Sequence, residues 1–272
     1  MAYLQGDARS LITVPHLAAM RRRGERITML TCYDATFASL LDRAGVDIAF
    51  IGDSLGNVLQ GHSNTLPVDI NDIAYHTACV ARGTRRCMIV ADIPFGCLDS
   101  PEKTYGHAVQ LIRSGAHMVK LEGGAFLSST IRFLVERSIP VCAHIGLTPQ
   151  SIHALGGFTV QGKTDVAAAC LIKDAQAVEA AGAQLLVLEA VPSGVAATIT
   201  DQIQIPTIGI GAGLGCSGQV LVLHDMLGIS PGKTPRFVKN FMNGQQSIES
   251  AIQSFVRDVR EGIFPGEEHC YR

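Results

Sequence analysis

Charge is scarce in this sequence. Asp, Glu, Lys and Arg together make up 17% of its 272 residues, against roughly 25% in an average soluble domain. So little charge leaves a monomer's surface thinly covered, and a homo-oligomer with large apolar contacts is expected. The net charge is −2 and no long basic run occurs, which argues against nucleic acid and anionic membranes as partners. No C-x-x-C pair exists among the eight cysteines. Several of these (Cys32, Cys87, Cys142) lie in apolar strand-like segments, the pattern of reduced thiols in a cytoplasmic protein rather than of zinc or a disulfide framework. The N-terminal stretch lacks an apolar region followed by a cleavage site, so no secretory signal is read. The longest uncharged stretch, 202–223, is interrupted by Pro206 and a series of glycines. It reads as strand, loop, strand rather than a membrane span. No G-x-G-x-x-G follows a first strand, which disfavours an open doubly wound sheet.

What is present is a repeated grammar. Ile48-Ala49-Phe50-Ile51 is a short apolar run suited to a buried strand, and Gly52-Asp53-Ser54-Leu55-Gly56 ends it. Three further runs end the same way: 88–91 before Asp92, 118–121 before Glu122, and 184–188 before Glu189. Three joints, AGVDIAFIGD, SGAHMVKLEG and AGAQLLVLEA, each close a helix on glycine and reach an acid seven or eight positions later. That is the mark of repeated βα units. About eight strands alternating with helices predict a single α/β domain, a (β/α)8 TIM barrel spanning 1–272. Apolar positions at helical spacing within 10–24 predict a helix capping the barrel. Helices are also expected over 237–241 and 247–261, and QVLVLHDM is read as strand eight.

In such a barrel the C-terminal strand ends share one face and converge on one site. Asp53, Asp92 and Glu122 at three consecutive strand ends are hard oxygen ligands, a set that selects Mg²⁺ or Mn²⁺ over zinc. The competing role for each is to cap a helix or pair with a lysine. Lys120 lies two residues before Glu122, so the two side chains share a side of the strand. An ammonium in so apolar a strand faces a substrate anion beside the metal or forms a structural pair with Glu122. Glu189 ends an almost uninterrupted apolar run, and partial desolvation suits a general base. His144 is placed to bond substrate or a ligating carboxylate, or else to be a satisfied core residue. Ser54 is placed to donate to a substrate carboxylate. The glycines of GIGAG permit either close approach of an anion or a tight turn. His62, His76, His224 and Arg21 to Arg23 receive no catalytic role.

With these residues laid out, the chain resembles the ketopantoate hydroxymethyltransferase family. The resemblance is carried by TCYDATFASLLDRAG, IGDSLGNVLQGH, LPVDINDIAYHTACVARG, VADIPFG, MVKLEGG, HIGLTPQS, LGGFTVQGK, AGAQLLVLEAVP, IGIGAGLGCSGQVLVLHD, PRFVKNF and FPGEEH. These segments, in order, cover nearly all of the chain beyond about residue 25. The resemblance implies a barrel of the phosphoenolpyruvate/pyruvate superfamily, Mg²⁺, and a homodecamer. It implies metal binding by Asp53, Asp92 and Glu122, substrate contacts by Asp53, Ser54, Asp92 and Lys120, and proton removal by Glu189. The implied reaction moves a hydroxymethyl group from 5,10-methylenetetrahydrofolate to 3-methyl-2-oxobutanoate through a Mg²⁺-stabilised enolate. Its products are 2-dehydropantoate and tetrahydrofolate, on the route to pantothenate. Folate contacts are expected from the long loops after strands two and five. Two departures stand out: Ser63-Asn64-Thr65 where the family usually reads Asp-Ser-Thr, and Ser217 where it usually has Asp. Two other readings fit the residues: a Mg²⁺-dependent 2-oxoacid C–C lyase of the same superfamily, which needs no folate, and a non-catalytic assembly protein on the same barrel.

Overall fold

Strands that are apolar on both faces are stable only when both faces are covered, and a closed parallel barrel wrapped in helices does this. The computed structural model describes residues 11–230 and 234–272. Its strands are β1 Ile27–Thr31, β2 Ile48–Ile51, β3 Met88–Asp92, β4 Met118–Glu122, β5 Val141–Gly146, β6 Leu185–Glu189, β7 Thr207–Ile210 and β8 Gly218–Leu221. All pair in parallel and in chain order, and β8 closes on β1 with Ile27 opposite Gly218. The architecture is the expected (β/α)8 barrel.

The period of two divides each strand between two cores. Leu30, Ala49, Ile51, Ile89, Ala91, Val119, Leu121, Ala143, Leu186 and Leu188 face outward into the layer shared with the helices. Ile27, Met29, Ile48, Phe50, Met88, Val90, Met118, Cys142, Leu185, Val187, Ile208 and Ile210 form a second cluster inside the barrel. Leu17 and Met20 join that inner cluster. They project from a helix over Val14–Arg22, which seals the N-terminal end of the barrel. It is shorter than the 10–24 expected, and Ser10 falls outside the described residues.

Local signals place the other elements. Asp34 caps the helix Ala35–Ala44 by accepting from the Phe37 N–H at 2.8 Å. Gly45, Gly115 and Gly182, the glycines of the three similar joints, have φ of 87°, 114° and 105°, the left-handed turn that passes the chain from helix to strand. The helix expected over 247–261 runs from Ile248 to Arg260, with Ser247 and Glu261 as its flanking caps.

Two expectations fail. Residues 237–241 form no helix: Phe237 and Phe241 lie in turns and 238–240 are irregular. The Asn240 carboxamide accepts from the Met242 N–H at 2.9 Å, a local bond that competes with helical geometry, and Phe241 packs edge-on against Phe255 and Phe264. Strand eight stops at Leu221, and Leu223–Met226 turns helical, with the Leu223 N–H donating to Thr31 Oγ1 at 2.9 Å.

The departures have structural accounts. Ser217 Oγ accepts from Arg21 at 3.3 Å and from the Thr207 N–H at 3.2 Å. The Arg21 charge is met by the carbonyls of Thr200, Ile203 and Ile205 at the end of the helix Ser193–Gln202, as a helix C-terminus favours. Asn64 Oδ1 accepts from the Leu66 N–H at 3.1 Å, a short turn within the loop after β2.

Candidate active site

Two residues further along the inward rows, the barrel interior changes from apolar to charged. Asp92 ends β3 opposite Lys120, and Glu122 ends β4 opposite His144. Gly146 ends β5 opposite Glu189. Gly146 has φ of 94°, and a Cβ there would lie 2.3 Å from the Glu189 carbonyl, so only glycine lets the two strand ends meet this closely. Asp53 enters from the turn after β2, its N–H donating to Asp92 Oδ2 at 3.3 Å.

The Lys120 ammonium is the hub. Its Nζ lies 3.0 and 2.8 Å from the two Asp92 oxygens and 3.0 Å from Glu122 Oε1, and the residue is 3% exposed. Burial opposes the charge on Lys120, but Asp92 and Glu122 overcome it and hold the ammonium well above its usual range. Burial raises Glu122 too, and there Lys120 and His144 win, drawing it down to about 2. Asp92 keeps the balance on the other side, pushed up to about 6 by burial and by Glu122 against the pull of Lys120. Asp53 is raised well above the carboxylate range by burial and by the like charges of Asp92 and Glu122.

His144 bridges the metal candidates and Glu189. Nδ1 lies 3.4 Å from Glu122 Oε1 and Nε2 lies 3.4 Å from Glu189 Oε2, ion-pair distances too long for well-formed hydrogen bonds. Burial and Lys120 push the imidazole down, and the two carboxylates more than offset them, lifting it to about 9. The Glu189 side chain is 15% exposed and reaches the cavity. The next residue, Ala190, has φ of 46°. This left-handed backbone at a non-glycine residue costs about 1–3 kcal/mol and is held by bonds from its N–H to Ile210 and to its carbonyl from Gln161.

Asp53, Asp92 and Glu122 each bring a ligand oxygen within 4.8 Å of the others. Two of the three buried carboxylates, Asp92 and Glu122, pair with the one ammonium, and the upward shift of Asp53 beside these two like charges is the electrostatic demand that a cation answers. The residues fit a hard divalent ion. A cavity of about 570 Å³ opens above them, with Ser54, Phe158, Arg236 and Tyr271 among its walls.

The structure thus brings every expected site residue to one cavity, Asp53, Ser54, Asp92, Lys120, Glu122, His144 and Glu189 alike. Others escaped the sequence reading. Tyr33 Oη and Ser54 Oγ are hydrogen-bonded at 2.8 Å. Gln150, in a 3₁₀ turn over Pro149–Ser151, donates from its N–H to Glu122 Oε2 at 2.9 Å and from Nε2 to Asp53 Oδ2 at 3.0 Å. The one local hint is Pro149 opening a turn within a long connection. The GIGAG glycines serve turns and packing: Gly211 and Gly213 have φ of 62° and 83°, and a Cβ at Gly213 would meet Ser193 at 2.6 Å. Among the described residues no helix is long and apolar enough to cross a membrane.

Comparison with solved structures shows the same fold. Phosphonopyruvate hydrolase aligns with a TM-score of 0.61 at 13% identity over 80% of this chain and 84% of its own. A 2,3-dimethylmalate lyase of the PEP mutase/isocitrate lyase superfamily aligns with a TM-score of 0.57 at 18% identity over 76% and 80%. In sequence, the chain is 66% identical over 271 residues to a 3-methyl-2-oxobutanoate hydroxymethyltransferase of Burkholderia multivorans, with both proteins covered in full. The corresponding protein of Paraburkholderia phymatum is 65% identical over the same span. Residues 11–267 match the family model for ketopantoate hydroxymethyltransferase. With this match across almost its whole length, the chain belongs to the ketopantoate hydroxymethyltransferase family.

Proposed function

We propose that the protein transfers a hydroxymethyl group from 5,10-methylenetetrahydrofolate to 3-methyl-2-oxobutanoate, giving 2-dehydropantoate and tetrahydrofolate for pantothenate synthesis. The observation that carries this reading is the continuous row from Asp92 through Lys120, Glu122 and His144 to Glu189 across four adjacent strands. It puts an ammonium between carboxylates at one end of a chain of contacts and a cavity-facing carboxylate at the other, which supports an anion and a metal bound beside a base. A crystal structure of the fold relative phosphonopyruvate hydrolase contains oxalate, a small dicarboxylate, and Mg²⁺.

A Mg²⁺ ion held by Asp53, Asp92 and Glu122 would supply Lewis-acid polarisation to the keto and carboxylate oxygens of the oxoacid. Lys120, fixed by two carboxylates, presents a preorganised positive charge to the enolate that forms. Ser54, oriented by Tyr33, donates to the substrate carboxylate. Glu189 takes the proton from C3, with His144 Nε2 at 3.4 Å from its Oε2. Both C–N bonds of the folate's one-carbon unit break, one replaced by a C–C bond to the C3 carbanion and the other by a C–O bond to water, and the two folate nitrogens take up the C3 proton and one proton of that water. Walls from the loops after β2 and β5, where Ser54 and Phe158 sit, fit the folate. The chain acts as one barrel domain in the cytoplasm and assembles as a homo-oligomer, the decamer that the family resemblance implies; light scattering on the eluted protein measures that mass.

Hydrogen–deuterium exchange at C3 of 3-methyl-2-oxobutanoate in D₂O, without folate, tests the reading. Exchange is expected with Mg²⁺ and not with EDTA. No exchange with Mg²⁺, either alone or with a folate analogue present, would reject the substrate assignment. Turnover independent of methylenetetrahydrofolate would favour a 2-oxoacid lyase instead.

A further inference from the structure

The geometry points to Gln150 as the positioning residue of the metal site, the group that sets the orientation of two of its three carboxylates. Lys120 engages both oxygens of Asp92 and Oε1 of Glu122. Gln150 takes the opposite side: its N–H donates to Glu122 Oε2 and its Nε2 to Asp53 Oδ2. The same Nε2 is anchored on the Ile93 carbonyl at 3.1 Å, just past the end of β3. One residue, 8% exposed, therefore ties the ends of β2, β3 and β4 together from the loop after β5.

The chemistry of the side chain matters. A lysine or arginine in this place would also hold Asp53, but its charge would compete with the cation. A neutral carboxamide donor orients the carboxylate without neutralising it. Asp53 lies two residues beyond β2, outside the strand register that fixes Asp92 and Glu122, and its backbone is held by bonds to Asp92 and Gly56 rather than by a ladder. With Gln150 on Oδ2, rotation of that carboxylate is restrained, and ordering it is no longer a cost of metal binding. Second contacts of this kind change metal affinity by about 10- to 100-fold.

This inference rests on the cation reading above, and Mn²⁺ titration followed by electron paramagnetic resonance separates the two. Gln150→Met keeps the volume and the backbone N–H bond to Glu122 while removing the donor to Asp53. Gln150→Asn keeps the amide but falls one methylene short. Each variant is expected to bind Mn²⁺ about 10- to 100-fold more weakly than the native chain. The metal-free variants should retain a cooperative thermal transition. At saturating Mn²⁺, C3 exchange should recover to within about tenfold of native, which general disruption of the fold would not allow. Native affinity in both variants would overturn the role of Gln150 alone. Failure of the native chain to bind Mn²⁺ would overturn the cation reading and this one with it. A loss of exchange that persists at saturating metal would place Gln150 in the reaction itself rather than in positioning.

Discussion

The two ends of the barrel interior are built from the same strands, on the same inward positions, and behave oppositely. At the N-terminal end Ile27, Ile48, Met88, Met118, Cys142, Leu185 and Ile208 interlock beneath Leu17 and Met20. At the C-terminal end Asp92, Lys120, Glu122 and His144 are just as buried. A step of two or four residues along a strand separates a dry plug from a charged cluster. The plug stabilises by removing apolar surface from water. The cluster stabilises only insofar as its charges compensate one another, because an unpaired buried charge is strongly unfavourable. Stability and function are thus sorted along the barrel axis.

Substitutions at each end should break this contrast in opposite ways. The largest effect is expected from Glu189→Gln, which should slow C3 exchange by about 10²–10⁴-fold, with Mn²⁺ affinity and oxoacid binding within a few-fold of native by calorimetry. Weak oxoacid binding would make Glu189 a binding residue instead. Next, Lys120→Met leaves Asp92 and Glu122 without their ammonium and should lower stability by about 3–5 kcal/mol at neutral pH in the absence of metal, read from urea unfolding. Added Mg²⁺ should restore part of that loss.

Met118→Ala at the plug should remove roughly 2–5 kcal/mol, while Mn²⁺ affinity stays near native. A comparable loss of affinity would mean that the two ends are not separate. The smallest effect is a drift with pH in the metal-free protein. Asp92 is raised to about 6, so the folded state holds a proton that the unfolded chain releases near pH 4, and stability from this group falls as pH rises from about 4 to 6. Glu122, lowered to about 2, works in the other direction, its contribution being present above about pH 4.5 and lost as pH falls toward 2. Urea midpoints between pH 4.5 and 7 should therefore decline in EDTA and flatten in Mg²⁺.

Some of the site was legible because the features that place it are local. Asp92, Glu122 and Glu189 stand at the end of apolar runs, and a parallel barrel carries all such ends to one face. Lys120 follows from the two-residue period that puts it beside Glu122. Gln150 was not legible. It sits in an aperiodic loop, and its bond to Asp53 joins residues 97 apart in sequence. Tyr33 was hidden for the same reason, since its hydroxyl finds Ser54 only once β1 and β2 lie side by side. The expected helix at 237–241 shows the reverse error, an apolar spacing that reads as helical but is spent on Phe241 packing into an aromatic cluster.

The sequence by itself determined the strands, their order, the helix-to-strand glycine turns and the acids at the strand ends, because hydrophobic period and backbone sterics act over a few residues. Only the tertiary structure decided which carboxylates share Lys120, which are raised and which lowered, and which neutral side chain holds them. Those outcomes depend on distances of 3 Å between groups far apart in the chain, in an interior where burial magnifies every charge.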